Sequence, residues 1–388
     1  MSNKTQISHQ SLVILIPDAY SPSNYPGVYQ KYCEIATVFQ ERGYLVKIVG
    51  YDSSIHSLWK LRYQSELKNA NIIWLRSPGI RLWLITIVLR TFSIQTRLLL
   101  EFPSPFTTYF RGGNRILFSK SGVKTWVESY LSILIFLLRL SRFEWIIEYG
   151  NERPALTYLF NLKDRGLLLG NPVPRSIVMA TRIYVTANKN RAALSSARKA
   201  RTSFIIIANL EPWHGIDRIL SGFATYTLNQ DAPRPLLKVV GSVRRDYHES
   251  LCRLADDLGV RDCIEFYSQQ DPLQLSSTME EVDIGISALG THRRGYRVAS
   301  PLKSGLYVAS GLPFICSCTD VRFERDFPYR FQCPADESPI DIHSILVWYE
   351  SLDLSRAGQK MHEYFQREMN TDKLLSPVFD RLNIPSLT

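Results

Sequence analysis

Short apolar runs, rich in β-branched residues, alternate with longer helix-like stretches along the whole chain. Such alternation indicates βαβ units, because helices that cross from one strand to the next build parallel sheets. The pattern predicts an α/β fold with five strands in each half. The runs lie at residues 12–16, 44–49, 72–75, 97–100, 145–147, 203–208, 236–240, 263–266, 284–287 and 313–315.

The chain of 388 residues is longer than a single hydrophobic core usually supports. Residues 175–201 carry no strong apolar run before a new strand begins at Ser203. We therefore expect a first domain over residues 1–190, a second over 191–370 and a C-terminal helical segment over 371–388.

The charge balance narrows the class of partner. The chain has 46 basic and 36 acidic residues and a net charge of +10, which favours a phosphorylated small molecule, an anionic lipid surface or nucleic acid. Its basic residues are spread along the chain without a nucleic-acid-binding motif, so we expect no nucleic-acid partner. The six cysteines form no paired CxxC motifs, which predicts a reducing, cytoplasmic compartment and no zinc.

The most apolar regions are too short to span a membrane. None reaches roughly 18 uninterrupted residues, because Arg90, Arg139 and Arg142 break them. Residues 129–140 are nonetheless unusually apolar and have basic flanks. Two interpretations stay open: a helix in a lipid interface, which would make the protein peripheral at the inner face of the plasma membrane, or a buried interdomain helix.

The loop after the first predicted strand is a candidate ligand site. It covers residues 18–27 and leads into helical spacing over 28–42. In open α/β sheets, loops at the carboxyl ends of strands line the ligand crevice. Gly27, at the start of the helix, would let a ligand approach the backbone closely. A surface loop with a structural glycine explains the same residues equally well.

The segment 291–313 has a clear helix start and stop. Ser300 suits a helix N-cap, and Pro301 suits the first helical position. Gly311 suits the position after the last turn, so the pattern predicts a helix over 301–310.

Basic residues gather at the start of this predicted helix, where the helix dipole favours an anion. Lys303 lies in the first turn, and Arg293, Arg294 and Arg297 precede it. These cations repel one another unless an anion lies between them. We therefore expect the backbone N–H groups and Lys303 to bind a phosphate or diphosphate. In the alternative, the arginines point into solvent and Lys303 pairs with a carboxylate from elsewhere.

Two further positions are candidate anion sites. Gly241 follows the predicted strand at 236–240, and His214 precedes helical spacing over 217–226. Both positions lie where a strand gives way to a loop, which is the edge where ligands bind in such sheets.

Four segments of the second half belong to one recognisable pattern: residues 203–226 (SFIIIANLEPWHGIDRILSGFATY), 237–266, 279–286 (MEEVDIGI) and 300–315 (SPLKSGLYVASGLPFI). With these segments, the second half resembles the family-4, or group 1, glycosyltransferases with the GT-B fold, particularly those of capsule and exopolysaccharide synthesis. The first half is similar more loosely, at Gly27 and Val28, at the Glu101-Phe-Pro element and at Gly170-Asn-Pro-Val173.

The resemblance implies two Rossmann-like domains facing a cleft, with the last helix crossing back onto the first domain. It implies a hexosyltransferase that moves a sugar from a nucleoside-diphosphate sugar to a lipid-linked or polysaccharide acceptor. Anomeric configuration would be retained, with no obligatory metal and no cofactor. No catalytic residue is assigned, and the residues expected to bind the donor are Gly27, Val28, His214, Gly241, Arg297, Ser300, Leu302 and Lys303.

The sequence departs from the family pattern at the donor site. The family's two glutamates, spaced eight apart, fall at Val298 and Leu306. Its usual Arg and Lys fall near Ala208 and at His214. Without the carboxylates, buried sugar hydroxyls lose hydrogen-bond acceptors. The alternative hypothesis is therefore a catalytically weakened relative that binds nucleotide or partners a transferase in a polysaccharide-synthesis complex.

Overall fold

The computed structural model describes residues 10–52, 54–76, 84–85, 87–89, 96–102, 145–149, 166–175, 201–228, 233–295 and 297–385. By its contacts the chain divides into two compact units. The first consists of Met1–Pro172 and Leu374–Thr388, and the second of Val173–Lys373. The predicted domain boundary at residues 190 and 191 lies outside the described residues.

The described part of the first unit holds six strands in one parallel sheet. They are β1 (Ser11–Pro17), β2 (Leu45–Tyr51), β3 (Ile72–Arg76), β4 (Arg97–Phe102), β5 (Trp145–Tyr149) and β6 (Gly166–Leu169). Their order in the sheet is β2-β1-β3-β4-β5-β6. Strand β6 was not predicted, because its four residues, Gly-Leu-Leu-Leu, include no β-branched side chain.

The second unit holds a parallel sheet of its own. Its described strands are β7 (Ser203–Ile207), β8 (Leu236–Val240), β9 (Ile264–Tyr267), β10 (Ile284–Ile286), β11 (Phe314–Cys316) and β12 (Arg330–Gln332). Their order is β12-β11-β10-β7-β8-β9. The predicted α/β fold is confirmed, but with six strands rather than five in each sheet. Strand β12 escaped prediction because it is a three-residue edge strand with two polar side chains.

Helices connect and cover the strands of each sheet. Strand β3 is buried at all five positions, as expected of a parallel strand covered on both faces. The α-helices of the described residues are α1 (Pro26–Glu41), α2 (Ile55–Lys60), α3 (Ser65–Lys68), α4 (Ile216–Leu228), α5 (Arg245–Asp257), α6 (Pro272–Glu280), α7 (Leu302–Ala309), α8 (Ile342–Glu350), α9 (Leu354–Tyr364) and α10 (Thr371–Leu382).

The described helices include none that is both long and apolar enough to cross a membrane. The apolar segment 129–140, predicted as a helix at a lipid interface or between domains, lies outside the described residues. In the first unit, Leu375 and Phe379 of α10 belong to the same buried core as Leu12 of β1 and Phe39 of α1.

The strand order reverses once in each sheet. In the first sheet, β1 lies between β2 and β3, so the chain adds β2 on one side of β1 and then β3 on the other side. In the second, β7 lies in the same way between β8 and β10. Loops at the carboxyl ends of such strands diverge and leave a crevice, which is where open α/β sheets bind ligands. The fold therefore gives each unit one favoured place for a ligand.

A buried polar network occupies this edge of the first sheet. The carboxylate of Glu101 accepts hydrogen bonds from Lys31 Nζ at 2.6 Å, Tyr32 Oη at 2.8 Å and Trp74 Nε1 at 2.7 Å. Arg76 lies 3.4 Å from the same carboxylate. Burial acts to raise the pKa of Glu101, but the charges of Lys31 and Arg76 hold that pKa below its usual value. The network fixes α1, on which Lys31 and Tyr32 lie, to the ends of β3 and β4.

Replacing the buried carboxylate should destabilise the first unit. Glu101→Gln leaves two buried cations without a counter-charge, and we expect a loss of about 3 kcal/mol in the free energy of unfolding, measured by urea denaturation. The matched control is Glu66→Gln, which removes an exposed carboxylate paired with Lys47 at 2.5 Å and should hardly change the urea midpoint. Equal midpoint shifts for the two variants would show that the network does not hold α1.

Candidate functional site

Two loops meet at the reversal point of the second sheet. The first follows β7 and contains the short 3-10 turn Pro212–His214. The second follows β10 and contains the turn Thr291–Arg294. Leu289 N–H donates to the His214 carbonyl at 3.3 Å, and Gly290 N–H donates to the Trp213 carbonyl at 3.1 Å. The loops are therefore held side by side at the edge where a ligand is expected.

Helix α7 is seated on the same strands. The hydroxyl of Tyr307 donates to the backbone carbonyls of Ile205 and Ile286 at 3.2 and 3.1 Å. The hydroxyls of Ser287 and Ser304 lie 2.6 Å apart and are buried. These contacts tie α7 to β7 and β10, so its first turn lies beside the two loops.

The start of α7 differs from the prediction by one residue. Pro301 is the N-cap, with φ −63° and ψ 135°, and no side chain caps the helix. The prediction of Ser300 as N-cap is wrong, because the extended conformation of Pro301 delays the first helical residue to Leu302. The predicted end is confirmed, since Gly311 follows the last turn with φ +68°.

Lys303 lies in the first turn of α7 with its amine buried. The residue is 8% exposed, and its Nζ has no hydrogen-bond partner among the residues that the structure describes. Burial lowers the pKa of Lys303 to about 7, with Cys318 opposing that shift. The alternative in which Lys303 pairs with a carboxylate is therefore wrong for the described part of the chain. An amine that has lost its water without gaining a partner is costly.

His214 lies close enough to Lys303 for the charge of that amine to affect its pKa. Burial is the main reason that the pKa of His214 lies well below its ordinary value, and the charges of Lys303 and Arg294 lower that pKa further. Its Nδ1 accepts a hydrogen bond from Glu211 N–H at 3.1 Å. A neutral imidazole that accepts at Nδ1 carries its proton on Nε2. His214 can therefore donate one hydrogen bond to a ligand as a neutral group.

The three arginines predicted near Lys303 have different surroundings. Arg293 makes two hydrogen bonds to the carboxylate of Asp217, at 2.9 and 2.6 Å, and also pairs with Glu337. These bonds raise the pKa of Arg293, and the two carboxylates compensate its charge. Arg294 lies over the ring of Trp213 at 4.5 Å, and Arg297 is exposed. The pairing of Arg293 was not visible in sequence, since Asp217 is 76 residues away.

Gly241 follows β8, and its backbone N–H is already engaged. Its N–H donates to the Tyr267 carbonyl at 3.1 Å, so the predicted anion contact through this group lacks a free donor. Its φ is +135°, and an added Cβ would lie 2.2 Å from the carbonyl oxygen of Ala208. Glycine is required here by backbone packing.

The remaining predicted donor residues fall in two places. Leu302 and Ser300 flank Pro301 at the start of α7 in the second unit. Gly27 and Val28 lie in the first turn of α1 in the first unit. The Cβ position of Gly27 meets no atom within 4 Å, and Val28 N–H donates to the Tyr25 carbonyl at 3.1 Å. The second unit thus brings together His214, Arg294, Leu302 and Lys303.

Neither a family model nor a curated protein matches the sequence. Solved structures do match the fold. HepE of Anabaena, in complex with UDP and glucose, aligns with a TM-score of 0.63 at 9% identity, over 97% of this chain and 100% of that one. Sucrose-phosphate synthase of Thermosynechococcus elongatus aligns with a TM-score of 0.63 at 12% identity, over 97% and 100%. The chain has the GT-B fold. WaaG, a glycosyltransferase involved in lipopolysaccharide biosynthesis, aligns with a TM-score of 0.59 at 14% identity, over 97% and 100%.

The two positions at which the sequence resemblance predicts replaced glutamates are apolar and packed. Leu306 is 6% exposed and belongs to the core that includes Phe314. Val298 is 5% exposed and forms an isolated bridge with Thr319. Neither position can accept a hydrogen bond through its side chain. The polar groups of the described site therefore favour an anion over a sugar hydroxyl.

A contact missed by sequence analysis supports the start of α7. Arg322 donates to the Pro301 carbonyl at 2.6 Å and pairs with Asp320, also at 2.6 Å. Both side chains are buried. An arginine two residues from an aspartate is a common sequence pattern, so the pair carried no signal before the chain was folded.

Removing the buried amine should stabilise the protein. The folded-state pKa of Lys303, about 7, lies below its ordinary value of 10.5, so the cost of burial is complete below pH 7 and declines as pH rises toward 10.5. We expect Lys303→Met to gain on the order of 4 kcal/mol at pH 6 and roughly half of that at pH 9. Calorimetric melting at the two pH values measures this.

The control for that experiment is a second buried lysine. Lys31 pairs with Glu101 at 2.6 Å, so Lys31→Met should lower the melting temperature at pH 6. Loss of stability in both variants would mean that Lys303 has a stabilising partner.

Two positive-φ glycines provide a matched test of the turn after β8. Gly241→Ala should cost about 3 kcal/mol in the free energy of unfolding, since strain at φ +135° adds to the clash with Ala208. Gly259→Ala, at φ +66° with open space around it, should cost only about 1 kcal/mol. Urea denaturation compares them, and the reverse ranking would contradict the packing described here.

Proposed function

We propose that this chain is a glycosyltransferase that moves a sugar from a nucleoside-diphosphate sugar to a lipid-linked or polysaccharide acceptor, with retention of configuration and without an obligatory metal. The observation that carries the proposal is the buried, unpartnered amine of Lys303 at the start of α7. Its location at the reversal point of the second sheet is where the fold favours ligands.

The chemistry of this location suits a diphosphate. The first hydrogen bond of α7 runs from Ser304 N–H to the Pro301 carbonyl, so the N–H groups of Leu302 and Lys303 precede it. First-turn N–H groups lack partners within the helix and attract anions. The Lys303 amine adds a charged hydrogen-bond donor for phosphate oxygens, and the first-turn N–H groups and His214 Nε2 add neutral donors.

The same donors would assist the reaction. In transfer, the bond from the anomeric carbon to the diphosphate oxygen breaks, and an acceptor hydroxyl oxygen bonds to that carbon and loses its proton. The departing nucleoside diphosphate gains a negative charge. Lys303 and the helix N–H groups are fixed where that charge develops, which is the role that a metal ion fills in other transferases.

The structural relatives support the choice of donor class. HepE of Anabaena has been solved with UDP and with UDP-glucose. At about 10% identity these structures establish the fold, and the nucleotide and sugar of this chain are for experiment to identify. The acceptor, the contribution of Gly27 and Val28, the membrane contact through 129–140 and the peripheral cytoplasmic location are parts of the proposal that rest on the sequence.

A second candidate is a catalytically weakened relative that binds nucleotide or partners a transferase. The observation that favours it is the apolar packing of Val298 and Leu306, which leaves no carboxylate at either position. Like the active transferase, this candidate binds the diphosphate through Lys303 and the start of α7. It differs in that it transfers sugar weakly or not at all.

A ligand screen tests the proposal. Purified protein is melted with UDP, GDP, ADP, CMP and their sugars, and a ligand that binds only the folded state raises the melting temperature. We expect one nucleoside diphosphate and its sugar to do so. Lys303→Met should weaken that binding roughly 30- to 150-fold, the effect of losing charged hydrogen bonds worth about 2–3 kcal/mol.

The control is Lys238→Met, which removes a lysine of the same unit that pairs with Glu281 at 2.7 Å and should leave nucleotide affinity unchanged. Release of nucleotide from the selected donor, with product formed on an acceptor, supports the transferase. Binding without any turnover favours the second candidate. No response to any nucleotide would contradict both.

A further inference from the structure

The surroundings of Lys303 contain cations and a neutralised carboxylate. The loop after β7 contributes His214, on which both Lys303 and Arg294 of the loop after β10 act. The segment after β11 contributes Cys318, which interacts with Lys303 and also with Asp320 and Arg322. Both oxygens of Asp320 are taken by Arg322, at 3.0 and 2.6 Å, so its charge is already compensated.

This environment disfavours an ammonium ion at Lys303 in the absence of a bound anion. The Lys303 Nζ is out of contact with solvent and has no hydrogen-bond partner in the described part of the chain. Its pKa of about 7 agrees with this geometry, because the charged form lacks both water and a counter-ion. Near neutral pH, a large fraction of the empty protein therefore carries Lys303 as a neutral amine.

We infer that binding of a nucleoside-diphosphate sugar is coupled to uptake of one proton, and that Lys303 receives it. This inference rests on the proposed function. A bound diphosphate supplies the missing counter-charge, so the ammonium form becomes favourable once the ligand is present. The empty site thus avoids the cost of a buried cation, and the occupied site has its full charge.

The sign and size of the effect follow from linkage. Affinity is highest where Lys303 is already protonated, below pH 7, and falls as pH rises through that value. For a group that titrates near pH 7 in the empty protein, the dissociation constant should rise about tenfold from pH 6 to pH 8 and about a hundredfold from pH 6 to pH 9.

The neighbouring groups do not titrate in this range. Burial raises the pKa of the Cys318 thiol to about 12, so it stays protonated. The arginines keep their charge at every pH of interest. His214 is neutral near neutral pH because burial, with the charges of Lys303 and Arg294, holds its pKa well below its ordinary value, although a bound anion would also act on it.

Isothermal titration calorimetry tests the inference on the unmodified protein. The ligand is the nucleoside-diphosphate sugar that raises the melting temperature most in the screen above. A free nucleoside diphosphate is avoided because its terminal phosphate itself titrates near pH 6. Titrations are run at pH 6 and pH 8 in three buffers of different ionisation enthalpy, none of them phosphate, and the slope of observed enthalpy against ionisation enthalpy counts the protons exchanged.

We expect an uptake of about 0.9 proton at pH 8 and about 0.1 at pH 6, as for a group that titrates near pH 7. Binding with no uptake at pH 8 would overturn the inference and leave the proposed function standing. The absence of binding by every nucleotide sugar would overturn both.

Two variants locate the proton. Lys303→Arg keeps a permanent charge, so it should bind with an uptake near zero at pH 8. His214→Gln should bind with the uptake of the unmodified protein. If His214→Gln abolishes the uptake and Lys303→Arg preserves it, the proton goes to the histidine and the assignment to Lys303 is wrong. The slope for the unmodified protein still decides whether coupling exists if either variant fails to fold.

Discussion

The reversal of strand order at β7 decides where the charged groups of the second unit lie. Because β8 and β10 flank β7, the loops that follow β7 and β10 lie side by side at the carboxyl edge of the sheet. The hydroxyl of Tyr307 then anchors α7 to the carbonyls of Ile205 and Ile286, one on each of these strands. As a result, the first turn of α7 and the residue His214 face the same small region, although 89 positions separate His214 from Lys303.

Two buried lysines in this chain illustrate two uses of a buried charge. Lys31 has a carboxylate 2.6 Å away and contributes to a closed network that holds α1 to the first sheet. Lys303 is also buried but has no such partner within the described residues. An uncompensated charge destabilises the folded state, and buried groups with shifted pKa values cluster at functional sites. Ligand binding is the use that the surroundings of Lys303 favour.

In the proposed function, the apolar packing of Val298 and Leu306 makes the diphosphate the main group that the site recognises. Side chains at these positions belong to the protein interior and offer no acceptor to a sugar or ribose hydroxyl. The groups that remain are donors, with Lys303 and His214 foremost. A site of this composition distinguishes anions by charge and geometry more readily than it distinguishes one sugar from another.

The sequence by itself determined the α/β class and ten of the described strands, because β-branched runs between helical stretches fold in few other ways. It also identified Lys303 and His214 as candidates, since a lysine in a first helical turn and a histidine after a strand are local patterns. It failed at β6 and β12, whose residues lack a strand signal, and at Ser300, which Pro301 displaces from the cap.

Only the tertiary structure decided what each charge does. Arg293 and Lys303 look alike in sequence, yet one is neutralised by Asp217 and Glu337 and the other is left without a partner. The neutral state of His214 depends in the same way on burial and on cations from other elements. Burial and counter-charges come from residues distant in the chain, so the protonation state of a side chain is a property of the folded molecule.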